Sequence, residues 1–158
     1  MAIGFSIIAI ILLGLSFMEV LSGSNGNYEV VVTPEALTMI LDETQYITEE
    51  TTEIVVMDLR DREDYETSHL SNAVNVPYDD EGVNLLRYLE RKKYQNTPIY
   101  LMCYSGLRSG KAFNQLKEND FKELYYVSFG FDEYKATIDN EATFTAGKCP
   151  CELEEYQD

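Results

Sequence analysis

The chain has 158 residues, room for one domain with a core of its own and little more. Apolar content of 45% and charged content of 25% are those of an ordinary globular protein. The charge balance is not ordinary: 28 acidic against 12 basic residues give a formal net charge of -16, which argues against nucleic acid or anionic lipid as a partner and suits solubility.

Met1 to Met18 carries no charge, and at about 1.5 Å of rise per residue a helix of that length just reaches across a bilayer core. The expectation is a transmembrane anchor or a secretory signal peptide over residues 1–22, with the anchor preferred. A signal usually carries a basic start, and here the first Lys or Arg is Arg60. Either reading places the domain outside the cytoplasmic membrane, on the periplasmic or extracellular side, with few flanking cations to set the orientation. Residues 23–29, rich in Gly, Ser and Asn, read as a linker.

Tyr28–Val32 reads as a first strand. Thr33-Pro34 is a cap followed by proline in the first helical turn, opening a helix with Leu37, Ile40 and Leu41 on one face. Ile54–Leu59 is a buried strand that ends in Arg60, and 61–68 a short charged helix. Ala73–Pro77 gives a short third strand. Val83, Leu85, Leu86, Tyr88 and Leu89 mark a helix to about Lys93. Ile99-Tyr100-Leu101-Met102 is a fourth strand, and a helix follows it to near Asn119. Leu124–Val127 is a fifth strand and Phe131–Ile138 a last helix. Strands alternating with helices imply an α/β fold, a mainly parallel five-stranded sheet with helices on both faces.

Between the fourth strand and its helix lies Cys103-Tyr104-Ser105-Gly106-Leu107-Arg108-Ser109. Backbone N–H groups converge where a tight loop enters a helix, and the helix dipole is positive there. Both favour thiolate over thiol, and Arg108 adds a fixed cation. A buried cysteine is often only a small hydrophobe. A core filler, however, needs no loop of Ser105, Gly106, Arg108 and Ser109, so Cys103 is the candidate nucleophile. It lies at the carboxyl end of a strand, where parallel sheets carry their ligand sites.

Residues 139–158 form an acidic tail containing Cys149-Pro150-Cys151. Three cysteines make an odd number, so at least one is left over and no disulfide framework is expected to hold the fold. The preferred reading of the tail is a disordered segment with exposed thiols. A redox pair is the minority one. Two cysteines alone do not make a zinc site, and no metal or other cofactor is expected.

Three ordered pieces resemble a single-domain rhodanese, a sulfurtransferase family, over roughly Val31 to Ile138, within a domain set at residues 30–138. The first piece is Val56-Met57-Asp58-Leu59-Arg60, then Asp64-Tyr65 and His69-Leu70-Ser71-Asn72-Ala73-Val74-Asn75-Val76-Pro77. The second is the loop from Cys103 to Ser109, similar to the family's C-x-x-G-x-R-S. The third is Leu124–Val127 with Phe129-Gly130, similar to the strand before the family's Gly-Gly turn. The chain departs from the pattern at Ser68 and Asn72 (usually Gly), Phe129 (Gly), Asp64 (Glu) and Tyr134 (Trp).

The resemblance implies that the Cys103 thiolate takes the sulfane sulfur of a small anionic donor such as thiosulfate. The resulting persulfide then passes its sulfur to cyanide or a thiol. Tyr104, Ser105, Gly106, Leu107, Arg108 and Ser109 would cradle the charged sulfur, with Arg108 either meeting the donor or holding the loop through an acidic partner. The six-residue span from Cys103 to Arg108 is, by the same resemblance, that of sulfurtransferases rather than of the related phosphatases, whose loop is longer by one. Asp58 and Arg60 are expected as a structural ion pair near the site, and His69 as a structural residue. The competing expectations are a rhodanese-like module that only binds a partner, and a thiol relay through Cys149 or Cys151.

Overall fold

The computed structural model describes residues 26–45, 54–138 and 143–149. The expected anchor or signal at 1–22 lies outside them, as does Cys151. Among the described residues no helix is long and apolar enough to cross a membrane.

Seven strands and five helices follow one another among these residues: β1 (Asn27–Val31), α1 (Pro34–Gln45), β2 (Val55–Asp58), α2 (Arg62–Thr67), β3 (His69–Leu70), β4 (Val74–Asn75), α3 (Val83–Lys92), β5 (Ile99–Cys103), α4 (Leu107–Glu118), β6 (Glu123–Gly130), α5 (Phe131–Thr137) and β7 (Phe144–Thr145). The main sheet has the order β1-β6-β5-β2-β4, and every neighbouring pair in it is parallel. β5 lies at its centre and all five of its residues are buried, which is why it reads as an unbroken apolar run.

Helices cover both faces. On one face Leu85, Tyr88 and Leu89 of α3 and Ala112 and Leu116 of α4 pack on Met57, Ile99 and Leu101. On the other, Leu37 of α1, Tyr65 of α2 and Phe131 and Tyr134 of α5 pack on Val56, Tyr100 and Met102. Successive residues of β2 and β5 thus feed opposite cores, as the pleat requires.

Local chemistry sets the element ends. The Thr33 hydroxyl accepts the Ala36 N–H at 3.2 Å, capping α1 before Pro34. The Asp79 carboxylate accepts from the N–H groups of Val83 and Asn84 at 2.9 and 3.2 Å, opening α3. Arg91 and Lys92 complement the dipole where that helix ends.

The tail differs from the sequence expectation. Residues 143–149 are fastened to the body rather than extended from it. β7 pairs antiparallel with β3, Leu70 opposite Phe144 and His69 opposite Thr145. The Ser71 N–H reaches Thr143 O and the Gly147 N–H reaches Glu66 O, each at 2.9 Å. Phe144 packs edge-on against Phe131 and Tyr134, with ring centroids 5.7 and 5.9 Å away. Cys149 is only 2% exposed and is disulfide-bonded, so it is not an exposed thiol. It lies against the outer edge of β4: the Val76 N–H turns inward to Asp58 O, and the Asn75 N–H turns to Cys149 Sγ at 3.4 Å.

Candidate active site

Cys103 ends the central strand, is a free thiol, and is 1% exposed. The strand register explains the loop that follows. Leu101 lies opposite Tyr126, but Cys103 lies opposite Gly130, so β6 bulges outward just where β5 turns away. The loop then rests directly on β6. A Cβ on Gly130 would lie 1.9 Å from the Tyr104 carbonyl oxygen, and one on Gly106 would lie 2.3 Å from that of Ser128. Gly106 also has φ of +81°, a conformation that favours glycine.

Gly106 caps α4, whose first turn wraps the sulfur. Burial pushes the Cys103 thiol up, but hydrogen bonds outweigh it and hold the thiol below the ordinary cysteine value. They come from the Ser109 hydroxyl and from the backbone N–H groups of Ser105, Ser109 and Arg108. The Ser109 Oγ lies 3.5 Å from Cys103 Sγ and 3.0 Å from both Gly106 O and Val127 O. It has a single proton. Beside a thiol it donates to a carbonyl and accepts from S–H; beside a thiolate it turns its proton to sulfur.

Arg108 does not turn to the sulfur. Its Nη1 meets Asp61 Oδ1 at 3.1 Å and Leu59 O at 3.4 Å, and the guanidinium centre stands 5.0 Å from the Tyr104 ring. The Tyr104 hydroxyl accepts the Asp61 N–H at 3.0 Å and donates to the Asp64 carboxylate. Burial, and then the bond to Asp64, push that phenol up to about 12, so it stays a neutral donor. Arg108 and Tyr104 together pin the cysteine loop to the turn between β2 and α2. Leu107 is 67% exposed.

Asp58 and Arg60 form a buried pair. Arg60 Nη2 lies 2.7 Å from Asp58 Oδ2 and Nε lies 3.0 Å from Oδ1. Nη2 also donates to Ser68 O at 2.8 Å, and the guanidinium centre stands 3.6 Å above the Phe131 ring. The pair joins β2 to α2 and α5 and lies behind the loop. His69 is buried elsewhere: its Nδ1 is 2.7 Å from Tyr65 O, and its ring stacks on Tyr65 at 3.6 Å. Among the described residues no three His, Cys, Asp or Glu side chains are placed to hold a metal ion.

Sequence reasoning missed Tyr104, Asp61 and Asp64 as one network, because Tyr104 lies 40 positions or more from both aspartates. It also missed the tightness of Gly130 against Tyr104, although an unreplaced glycine after a strand was a signal for it.

A cysteine at the carboxyl end of a central parallel strand, with amides of a helix start beside it, is an arrangement that favours thiolate over thiol. The chain belongs to the rhodanese-like domain family, which matches residues 41–137. It is similar to thiosulfate sulfurtransferase GlpE of Coxiella burnetii, 34% identical over 84 residues that span 53% of this chain and 74% of the relative. It is also similar to a tRNA uridine(34) hydroxylase of Buchnera aphidicola, 32% identical over 60% of this chain and 31% of that one. Among solved structures, the rhodanese-like domain of the Alr3790 protein from Anabaena sp. superposes with a TM-score of 0.57 at 17% identity, covering 78% of this chain and 80% of that one. That likeness is one of fold.

Proposed function

We propose that this domain is a sulfurtransferase that carries a sulfane sulfur as a persulfide on Cys103. The observation that carries the reading is the placement of Cys103 at the carboxyl end of the central strand, where α4 begins, with the Ser109 hydroxyl 3.5 Å from its sulfur. The sulfurtransferase named among its relatives supports it.

In the first step the Cys103 thiolate attacks the outer sulfur of thiosulfate. The new Sγ–S bond forms as the bond to the sulfite group breaks, and sulfite leaves with the electron pair. The terminal sulfur of the persulfide keeps a negative charge, which the loop amides solvate in place of water. In the second step a thiolate or cyanide attacks that terminal sulfur, the Sγ–S bond breaks, and Cys103 returns as thiolate. Two half-reactions through a covalent intermediate require ping-pong kinetics. Arg108, already paired with Asp61, holds the loop and is not the first group a donor meets. The uncharged run Met1–Met18 supports an extracytoplasmic domain held by an anchor or exported behind a signal.

Thiosulfate:cyanide turnover of the chain beside its Cys103→Ser variant tests the chemistry, with mass spectrometry for one added sulfur on Cys103. Loss of both in the variant is the expected result. An active variant would overturn the role of Cys103 and leave another thiol as the carrier; a native chain that takes up no sulfur from thiosulfate, persulfides or mercaptopyruvate would leave the partner-binding module as the better reading. Protease protection of the domain in intact cells tests the location, and a protected domain in spheroplasts would overturn it.

A further inference from the structure

Arg108 is the one Lys or Arg between Cys103 and Ser109, and it stands second in α4, in the turn that begins beside the sulfur. A free cation there would draw an anionic donor in. Its Nη1 is instead bonded to Asp61 Oδ1 at 3.1 Å and to Leu59 O at 3.4 Å. Asp61 is the N-cap of α2, a position where an Asp side chain ordinarily accepts from the first N–H groups of its own helix. Its carboxylate makes no such bond and reaches across to Arg108. Asp64 is engaged by the Tyr104 hydroxyl, and Tyr104 already ties the cysteine loop to this turn through that bond and the Asp61 N–H. The Arg108–Asp61 pair therefore adds a control of charge to a loop already fastened. With side chains 35% and 63% exposed, the pair is open to solvent, and an anion can compete for its guanidinium.

We propose that Asp61 sets which donor Cys103 takes: by holding Arg108 it withholds the loop's cation, and so shifts the balance toward singly charged donors of the thiosulfonate class and away from doubly charged thiosulfate. The assignment rests on the sulfurtransferase reading above. A thiosulfonate, R–SO2–S⁻, keeps the S–S bond of thiosulfate and has carbon in place of one charged oxygen. The Cys103 thiolate attacks its outer sulfur, the Sγ–S bond forms, the bond to the sulfonyl sulfur breaks, and a sulfinate leaves with the electron pair. Both donors thus yield the same persulfide from different charges. A unit charge released beside the sulfur attracts a dianion twice as strongly as a monoanion, so freeing Arg108 speeds the two unequally. Asp61 acts through Arg108 and is a positioning residue.

The test measures kcat/KM of the full chain for thiosulfate and for methanethiosulfonate, with cyanide as acceptor at constant low ionic strength. In ping-pong kinetics that constant reports the donor half-reaction alone. Asp61→Asn should raise it about fivefold for thiosulfate, the upper end for an exposed ion pair, and about twofold for methanethiosulfonate, the square root of that gain. The donor ratio should therefore move about twofold toward thiosulfate. In the Arg108→Gln background Asp61→Asn should leave the ratio where it was. Both donors are measured on each protein, so a loop loosened by substitution slows the two together and cancels from the ratio. A native ratio in Asp61→Asn, or a shift that persists in the Arg108→Gln background, would overturn the assignment and leave the sulfurtransferase standing. Turnover of neither donor, with no sulfur added to Cys103, would overturn both.

Discussion

The Ser109 hydroxyl has three acceptors within 3.5 Å and one proton to give. Ser109→Ala should therefore move Cys103 upward, and the pH profile of its alkylation by iodoacetamide should shift to higher pH. The same change should cost about 1 kcal/mol in denaturant unfolding, the net worth of one buried hydrogen bond. The lowered thiol also links to stability with a definite sign. Below the ordinary cysteine value of about 8.5 the unfolded chain holds a proton that the native thiolate has lost, so stability rises with pH through that window. The contribution is complete above the unfolded value and is lost as pH falls through the folded one. The thermal midpoint of the native chain relative to Cys103→Ala should track it; a pH-independent difference would mean that the thiol is not lowered. Arg60 acts through packing instead. Arg60→Ala leaves the Asp58 carboxylate buried without its guanidinium and should cost about 3–5 kcal/mol by chemical denaturation.

At the scale of elements, the cysteine loop and β6 touch backbone to backbone. Gly106→Ala meets both a left-handed φ and the Ser128 carbonyl, and Gly130→Ala meets that of Tyr104. Each should destabilise by about 2 kcal/mol or more and slow sulfur transfer further than its stability loss alone, which unfolding curves read beside turnover would separate. The main sheet was legible because Val55–Met57, Ile99–Cys103 and Leu124–Val127 are unbroken apolar runs and because Thr33-Pro34 and the Gly106 loop mark helix starts chemically. Cys103 was legible for the same reason, since strand, loop and helix follow one another directly. The β3–β7 pair was not: two-residue strands carry no periodicity, and His69 pairs with Thr145 far along the chain. Cys149 was misread because an acidic surrounding says solvent. Its burial instead depends on an edge N–H of β4 and on Phe144, neither of which composition reveals. Phe129, where the family's pattern has a glycine, is buried and stacks on Tyr134 with centroids 6.1 Å apart.

At the scale of the molecule, a net charge of -16 opposes both the compact state and the approach of an anionic donor. Raising ionic strength from about 0.01 M to about 0.15 M shortens the screening length from about 30 to about 8 Å. The thermal midpoint should then rise by about 2–4 °C, and kcat/KM for thiosulfate should rise with it. A kcat/KM that falls with salt would show instead that local cations steer the donor in. The sheet order has a consequence for how the chain is made. Among the described residues β1 is the first strand to be synthesised, yet its only neighbour there is β6, and Ser128 Oγ on β6 reaches Val31 O across 97 residues of chain. At roughly 5–20 residues per second, the first strand leaves the ribosome about 5–20 s before its partner exists. Through that interval Val30 and Val31 are an unclaimed β edge on the nascent chain, and holding by a chaperone would matter most then.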